Sequence, residues 1–200
     1  MMGGLDTSLL HTLNDLFARH DGLEDPLVAY AGAAEALFLL MLIVAFVAFR
    51  GARRAACAAG LSAGLALAVA QIVSRLVDRA RPFVAHPHGV HLFSHHAADP
   101  GFPSDHATAA FAIAAALLLR HRRWGAVVLV FAAVLAVVRV GMGVHYPTDV
   151  LGGAVLGTLA ALALWVPLVR RQVDTVADAA GRLLDSITHT TRTKVARARA

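Results

Sequence analysis

"HATAAFAIAAALLLRHRRWGAVVLVFAAVLAVV", residues 106–138, is two apolar runs joined by a basic knot. The runs 106–119 and 124–138 fall short of the roughly 20 residues a helix needs to cross a bilayer. They span only if their polar ends sit at headgroup depth. Working outward, three further apolar stretches run from Leu27 to Phe49, Ala55 to Val77 and Val150 to Val169. The chain is 58% hydrophobic with mean hydropathy +0.65 and only 16% charged, too apolar for an ordinary soluble domain. The reading is therefore an all-α membrane protein with about five transmembrane helices. Residues 1–26 precede them and lack both the basic start and the apolar core of a cleavable signal. Leu5, Leu9, Leu13, Leu16 and Phe17 recur there at helical spacing, which predicts an amphipathic helix lying on the membrane surface. The organisation expected is an interfacial helix over 1–26, a membrane domain over 27–169 and a basic tail over 170–200. The tail carries apolar Val173, Val176, Leu183, Leu184 and Ile187, and reads as an amphipathic cytoplasmic helix or a disordered segment.

Lysine and arginine set the orientation. Thirteen of the 18 lie after the first span, after the third span or in the tail, and only five lie on the other side. The C-terminus is thus expected in the cytoplasm, with the loops 78–105 and 139–149 outside. The net charge of +5 then reflects topology and anionic headgroups, and gives no reason to invoke nucleic acid. Nothing in the sequence specifies an oligomeric state. The one cysteine, Cys57, allows no intramolecular disulfide and reads as helix packing. Gly60/Gly64 and Gly153/Gly157 have the spacing of close helix contacts.

The outward loops hold nearly all the polar chemistry. Arg75, Arg79, Arg81 and Arg139 lie where arginine is normally scarce, and a planar guanidinium suits phosphate oxygens. Single arginines there also snorkel, but four together imply an anionic, phosphorylated ligand. In "PSDH", residues 103–106, Ser104 is a candidate N-cap and His106 lies in the first helical turn. Free N–H groups at a helix start bind anions, Ser104 offers a hydroxyl, and His106 is placed to protonate a leaving oxygen. In "HYPTD", residues 145–149, Pro147 suits the first helical position and Asp149 stands four residues from His145. That spacing permits an Asp149 to His145 hydrogen bond and a neutral, oriented nucleophile. Either motif alone also fits simple capping. Glu35 lies inside the first span, where an acid usually faces a polar cavity or pairs with an arginine; Gln71, Ser74 and Asp78 of the second span are expected to line the same cavity. Histidines 86, 88, 91, 95 and 96 raise a metal-handling alternative, but the loop offers no cysteine and Asp99 as its only nearby carboxylate.

The combination is more specific than its parts. Arg81-Pro82, then Pro103-Ser104-Asp105-His106, then Arg139 with His145 and Asp149 resembles the three-part signature of the type-two phosphatidic acid phosphatase superfamily, which includes vanadium haloperoxidases. The resemblance runs from about Arg75 to Gly157. Asp105 stands where the family has glycine and Val138 where it has serine. The leading basic position falls on Ser74, so Arg75 or Arg79 would substitute. "RPFVAHP", "HAAD" and "FPSDHAT" are similar to the bacterial undecaprenyl-diphosphatase, bacitracin-resistance branch. The resemblance implies a haloperoxidase-like helical bundle in the bacterial cytoplasmic membrane, acting at the outer face on a lipid diphosphate without metal or cofactor. Phosphatidic acid, phosphatidylglycerol phosphate or another prenyl diphosphate are the alternative substrates. It implies that His145 attacks phosphorus, Asp149 orients it, His106 protonates the leaving group and then activates water, and Arg81, Arg139, Ser104 and Arg75 hold the phosphate. Asp105 would stand beside that phosphate, orienting a donor or raising the proton affinity of His106. Arg79, Glu35, His96 and Asp99 are further candidates for the substrate site.

Overall fold

A computed structural model describes residues 2–198. Its helices are α1 (Met2–Ala18), α2 (Asp21–Ala48), α3 (Arg53–Val77), α4 (Pro82–Ala85), α5 (Asp105–Arg120), α6 (Arg122–Gly141), α7 (Pro147–Trp165) and α8 (Pro167–Ala198), and the described residues contain no strand. Four of them, α2, α3, α6 and α7, are long and apolar enough to cross a membrane. The third expected span, α5, has only 16 residues, about 24 Å of helix. It runs through the centre of the bundle, packed against α3, α6 and α7. Ala107, Thr108, Ala110, Ala112, Ile113, Ala114, Ala116 and Leu117 are all buried. These side chains are mostly small, so neighbouring backbones come close.

Helix α7 makes one such close approach. A Cβ at Gly157 would run into the carbonyl of Thr108 and lie 2.7 Å from the Ala112 nitrogen; one at Gly153 would lie 2.7 Å from the Ser104 carbonyl. Gly153 and Gly157 are thus the close contact that their spacing predicts. Gly60 and Gly64, with the same spacing on α3, face open space. Backbone cannot yield as a flexible side chain can, so Gly157→Leu is expected to cost about 3 kcal/mol or more. A thermal melt in detergent checks this, with Gly64→Leu as the near-neutral control.

The last span ends earlier than expected, at Trp165 rather than Val169. Pro167 pushes Val166 out of the helical region, to φ −53 and ψ 131, and opens α8. The tail is one helix rather than a disordered segment. Its Asp174, Asp178 and Asp185 pair with Arg120 at 2.7 Å, Arg54 at 2.6 Å and Arg53 at 2.8 Å, so α8 is fastened beneath the bundle end opposite the loops.

Helix α1 forms as predicted, but its faces are used unexpectedly. Leu5, Leu9 and Leu16 point outward, Leu5 being 72% exposed, whereas Asp6 and Asn14 are buried with Leu10 and Phe17. Asn14 Nδ2 donates to the carbonyls of His91 and Gly141, both at 2.8 Å, and its Oδ1 accepts from the His91 N–H at 2.8 Å. The chain passes this staple at Gly143, whose φ of +75 and close approach to the His91 carbonyl leave room for no Cβ.

Candidate active site

The ends of α3, α5, α6 and α7 meet at one end of the bundle, where short connections bring distant residues together. Pro82 starts α4 and makes Arg81 its N-cap residue. Ser104 is the N-cap residue of α5, but its hydroxyl caps nothing. Arg139 lies in the last turn of α6, and Pro147 starts α7 directly after His145 and Tyr146.

His145 is almost wholly buried. Its Nδ1–H donates to the Gly101 carbonyl at 2.9 Å, which leaves Nε2 as the free lone pair. Arg81 Nη1 reaches that Nε2 at 3.1 Å and the Val144 carbonyl at 3.2 Å, while Arg81 Nε binds the Asp99 carboxylate at 3.0 Å and its carbonyl at 3.1 Å. Burial, then the charges of Arg139 and Arg81, hold the proton affinity of His145 well below that of an ordinary imidazole. It is a neutral base in a positive pocket. His96 is likewise depressed, first by burial and then by Arg81 and Arg139, and its Nε2 accepts from Arg139 Nη2 at 2.8 Å. Burial alone would raise Asp99, but the Arg81 hydrogen bond prevails and keeps it ionised.

Two buried groups in this pocket lack any partner, Ser104 Oγ and Arg139 Nε. Buried polar atoms are almost always satisfied, so two unused donors beside a neutral histidine mark a place for oxygen ligands. The N–H groups of the first α5 turn add to it. An unpaired buried hydroxyl costs stability. Ser104→Ala is therefore expected to raise unfolding stability by about 1 kcal/mol while lowering turnover about a hundredfold, a pair of opposite changes read from a melt and an activity assay on the same protein.

His106 lies at the pocket edge with its Nε2 3.4 Å from Glu35 Oε1, so Glu35 does reach the site from α2. Asp105 accepts from Gln71 of α3 at 3.2 Å and adds no donor to the pocket. Asp78, by contrast, is exposed and ends α3 in the left-handed region at φ 44.

Three residues stand differently from expectation or apart from the pocket. Arg75 is exposed, and among the described residues its side chain makes no hydrogen bond or ion pair. Arg79 does not face the pocket; its guanidinium is taken by Asp6 at 2.7 Å and Asp149 at 2.8 Å and lies over the Tyr146 ring at 4.0 Å. Two carboxylates hold it behind the site. Nor is the Asp149 to His145 hydrogen bond formed, since the pair stands 3.7 Å apart. Asp149 spends Oδ2 on the Tyr146 N–H at 2.8 Å, closing a capping box, and Oδ1 on Arg79. The Gly101 carbonyl takes the tautomer-fixing role instead. Among the described residues no three His, Cys, Asp or Glu side chains converge as a metal site would require. Histidines 86, 88, 91 and 95 stay apart from the pocket's hydrogen bonds, and only His96 joins them.

Sequence reasoning missed Asp6, Asn14 and Thr148. The available signal was that Asp6, Leu10, Asn14 and Phe17 share one stripe of α1, which places two polar groups on an inward face.

The sequence pattern of the PAP2 superfamily matches residues 55–172. The putative undecaprenyl-diphosphatase YbjG of Escherichia coli is 47% identical over 89 residues, 42% of this chain and 44% of that protein. The undecaprenyl-diphosphatase BcrC of Bacillus subtilis is 39% identical over 110 residues, 54% of this chain and 56% of that protein. The chain thus spans about half the length of these curated relatives. The crystal structure of LpxE from Aquifex aeolicus superposes with a TM-score of 0.67 at 26% identity, covering 80% of this chain and 93% of that one.

Proposed function

The chain belongs to the PAP2 superfamily, and from that premise we propose that it is a membrane phosphatase that converts undecaprenyl diphosphate to undecaprenyl phosphate and inorganic phosphate. The observation that carries this reading is the pair of unpartnered buried donors, Ser104 Oγ and Arg139 Nε, beside neutral His145. The terminal phosphate seats on these donors, on Arg81 and on the α5 N–H groups. Its oxygens draw Arg81 Nη1 off the His145 lone pair. Nε2 then attacks phosphorus in line, the bond to the bridging oxygen breaks, and His106, which takes up a proton as the anionic substrate seats beside it, gives that proton to the departing lipid phosphate. The phosphohistidine carries a positive ring, with Nδ1–H held by Gly101 and the Asp149 carboxylate close by. Water loses a proton to His106 and attacks phosphorus, the N–P bond breaks, and phosphate leaves. Arginines and N–H dipoles supply the positive charge throughout. The choice of the undecaprenyl carrier rests on the resemblance of residues 81–108 and on the names of the relatives.

The arginine-rich end around Arg53, Arg54 and Arg120 is cytoplasmic in this reading, together with α8, and the phosphatase site opens at the outer face of the bacterial membrane. Purified full-length protein in detergent with excess EDTA, given undecaprenyl diphosphate or phosphatidic acid, tests the proposal. Release that survives chelation and favours the prenyl diphosphate is the expected result. Preference for phosphatidic acid overturns the substrate, and silence on every lipid phosphate overturns the chemistry.

A further inference from the structure

Asp6 sits on a helix whose leucines face outward, yet its own carboxylate is buried at 5% exposure. A buried carboxylate is costly unless fully engaged, and this one is. Oδ1 accepts from the Thr148 N–H at 2.9 Å, and Oδ2 accepts from the Thr148 hydroxyl at 2.5 Å and from Arg79 Nη2 at 2.7 Å. Arg79 Nη1 donates onward to Thr148 Oγ1 at 2.6 Å and to Asp149 Oδ1 at 2.8 Å. The hydrogen bonds of Arg79 and Thr148 outweigh the burial that would otherwise protonate Asp6. The first helix of the chain is therefore wired to the turn that carries the nucleophile.

We propose that Asp6 is a positioning residue for the reaction, holding Arg79 so that Asp149 stays fixed behind His145 and keeps its negative charge available to the ring. This rests on the phosphatase reading above. The reason is charge balance. Asp149 and Arg79 alone form a neutral pair, which does little for a ring that becomes positive when Nε2 bonds to phosphorus. With Asp6 added, the cluster of two carboxylates and one guanidinium carries a net charge of about −1, the sign the phosphohistidine ring needs. Asp6 also divides the pull of Arg79, which would otherwise draw Asp149 away from a ring only 3.7 Å distant.

The other charged or titratable groups around His145 are Arg81 before α4, His96 of the loop, His106 of α5 and Arg139 of α6. The Asp99, Asp105 and Glu35 carboxylates lie on the pocket side, against Arg81, Gln71 and His106, so the Asp6–Arg79–Asp149 cluster is the counterweight on the far side of the ring.

The test compares wild type, Asp6→Asn, Asp6→Glu, Arg79→Gln and the double variant Asp6→Asn/Arg79→Gln as full-length proteins in detergent. Asp6→Asn is expected to lose about tenfold in kcat with KM little changed, since a developing charge and not substrate binding is affected. Asp6→Glu recovers part of the loss. Adding Asp6→Asn to Arg79→Gln is expected to cost little beyond Arg79→Gln alone, because Asp6 acts on Asp149 only through Arg79. A merely structural role predicts the reverse, losses that accumulate in the double variant. The same proteins labelled with 15N at histidine are titrated by NMR. His145 should bind its proton more weakly in Asp6→Asn, and the double variant should match Arg79→Gln alone. Unchanged titration, full activity in Asp6→Asn or a double variant worse than both singles overturns the proposal. A wild type that releases no phosphate but shows the expected titrations sinks the functional reading and leaves the electrostatic coupling standing.

Discussion

Replacing His145 by glutamine is expected to lower kcat for phosphate release by about a thousandfold or more, with no large change in melting temperature. Glutamine can still donate to the Gly101 carbonyl through its side-chain amide, so the buried hydrogen bond that fixes the imidazole has a substitute. What it lacks is a nucleophilic lone pair directed at phosphorus. The wild-type ring is neutral at working pH because burial and the flanking arginines oppose its protonation, so nearly every molecule holds that lone pair. Wild type quenched in alkali during turnover should carry a base-stable, acid-labile phosphate, and the glutamine variant should carry none. A variant that keeps full turnover removes His145 from the chemistry.

The second large effect depends on the substrate. His106→Ala removes both the acid for the leaving oxygen and the base for water, a contribution of about a hundred to ten-thousandfold. The two losses separate by leaving group. A departing lipid phosphate is a weak base, with a second pKa of about 6 for a phosphate monoester, and leaves without much help. An alkoxide from phosphatidic acid is a strong base and needs the proton. With a prenyl diphosphate the variant should therefore still form phosphohistidine and then stall at water attack, so that labelled enzyme accumulates. With phosphatidic acid it should fail before the intermediate. Rapid-quench measurement of enzyme-bound phosphate with each lipid distinguishes these outcomes; equal labelling with both would remove His106 from leaving-group protonation.

The residues of the candidate site were legible because their signals are local. Ser104 and His106 announce a helix start, His145 and Asp149 flank a proline that begins a helix, and Arg81 and Arg139 stand out as charges beside apolar runs. Their meeting is a property of the bundle, yet each piece carries its own mark. The wiring behind them was not legible. Asp6 finds its partners 73 and 142 residues away, and its helix displays a leucine pattern that reads as its whole purpose. The spacing of Asp149 permits its bond to His145 and the family resemblance implies it, whereas the capping geometry of Tyr146 and the charge of Arg79 compete for the same oxygens. The place of α5 was likewise hidden, since an apolar run reads the same whether lipid or protein surrounds it. Arg120 and Asp174 illustrate a further limit. Neither carries a sequence signal of its partner 54 residues away, and together they fasten the tail to the bundle.

The backbone contact of α5 with α7 at Gly153 and Gly157 acts as a rivet between two arms. One arm ends in Ser104 and His106, the other begins beside His145 and Asp149, and the joint is made mainly by backbone, with the Thr108 hydroxyl beside Gly153. The distance between His106 and His145 is thus set largely by main chain, which mutation cannot retune in small steps. The outer walls, α2 above all, are side-chain surfaces that can be exchanged freely. The fold separates an unadjustable gauge between two histidines from an adjustable exterior.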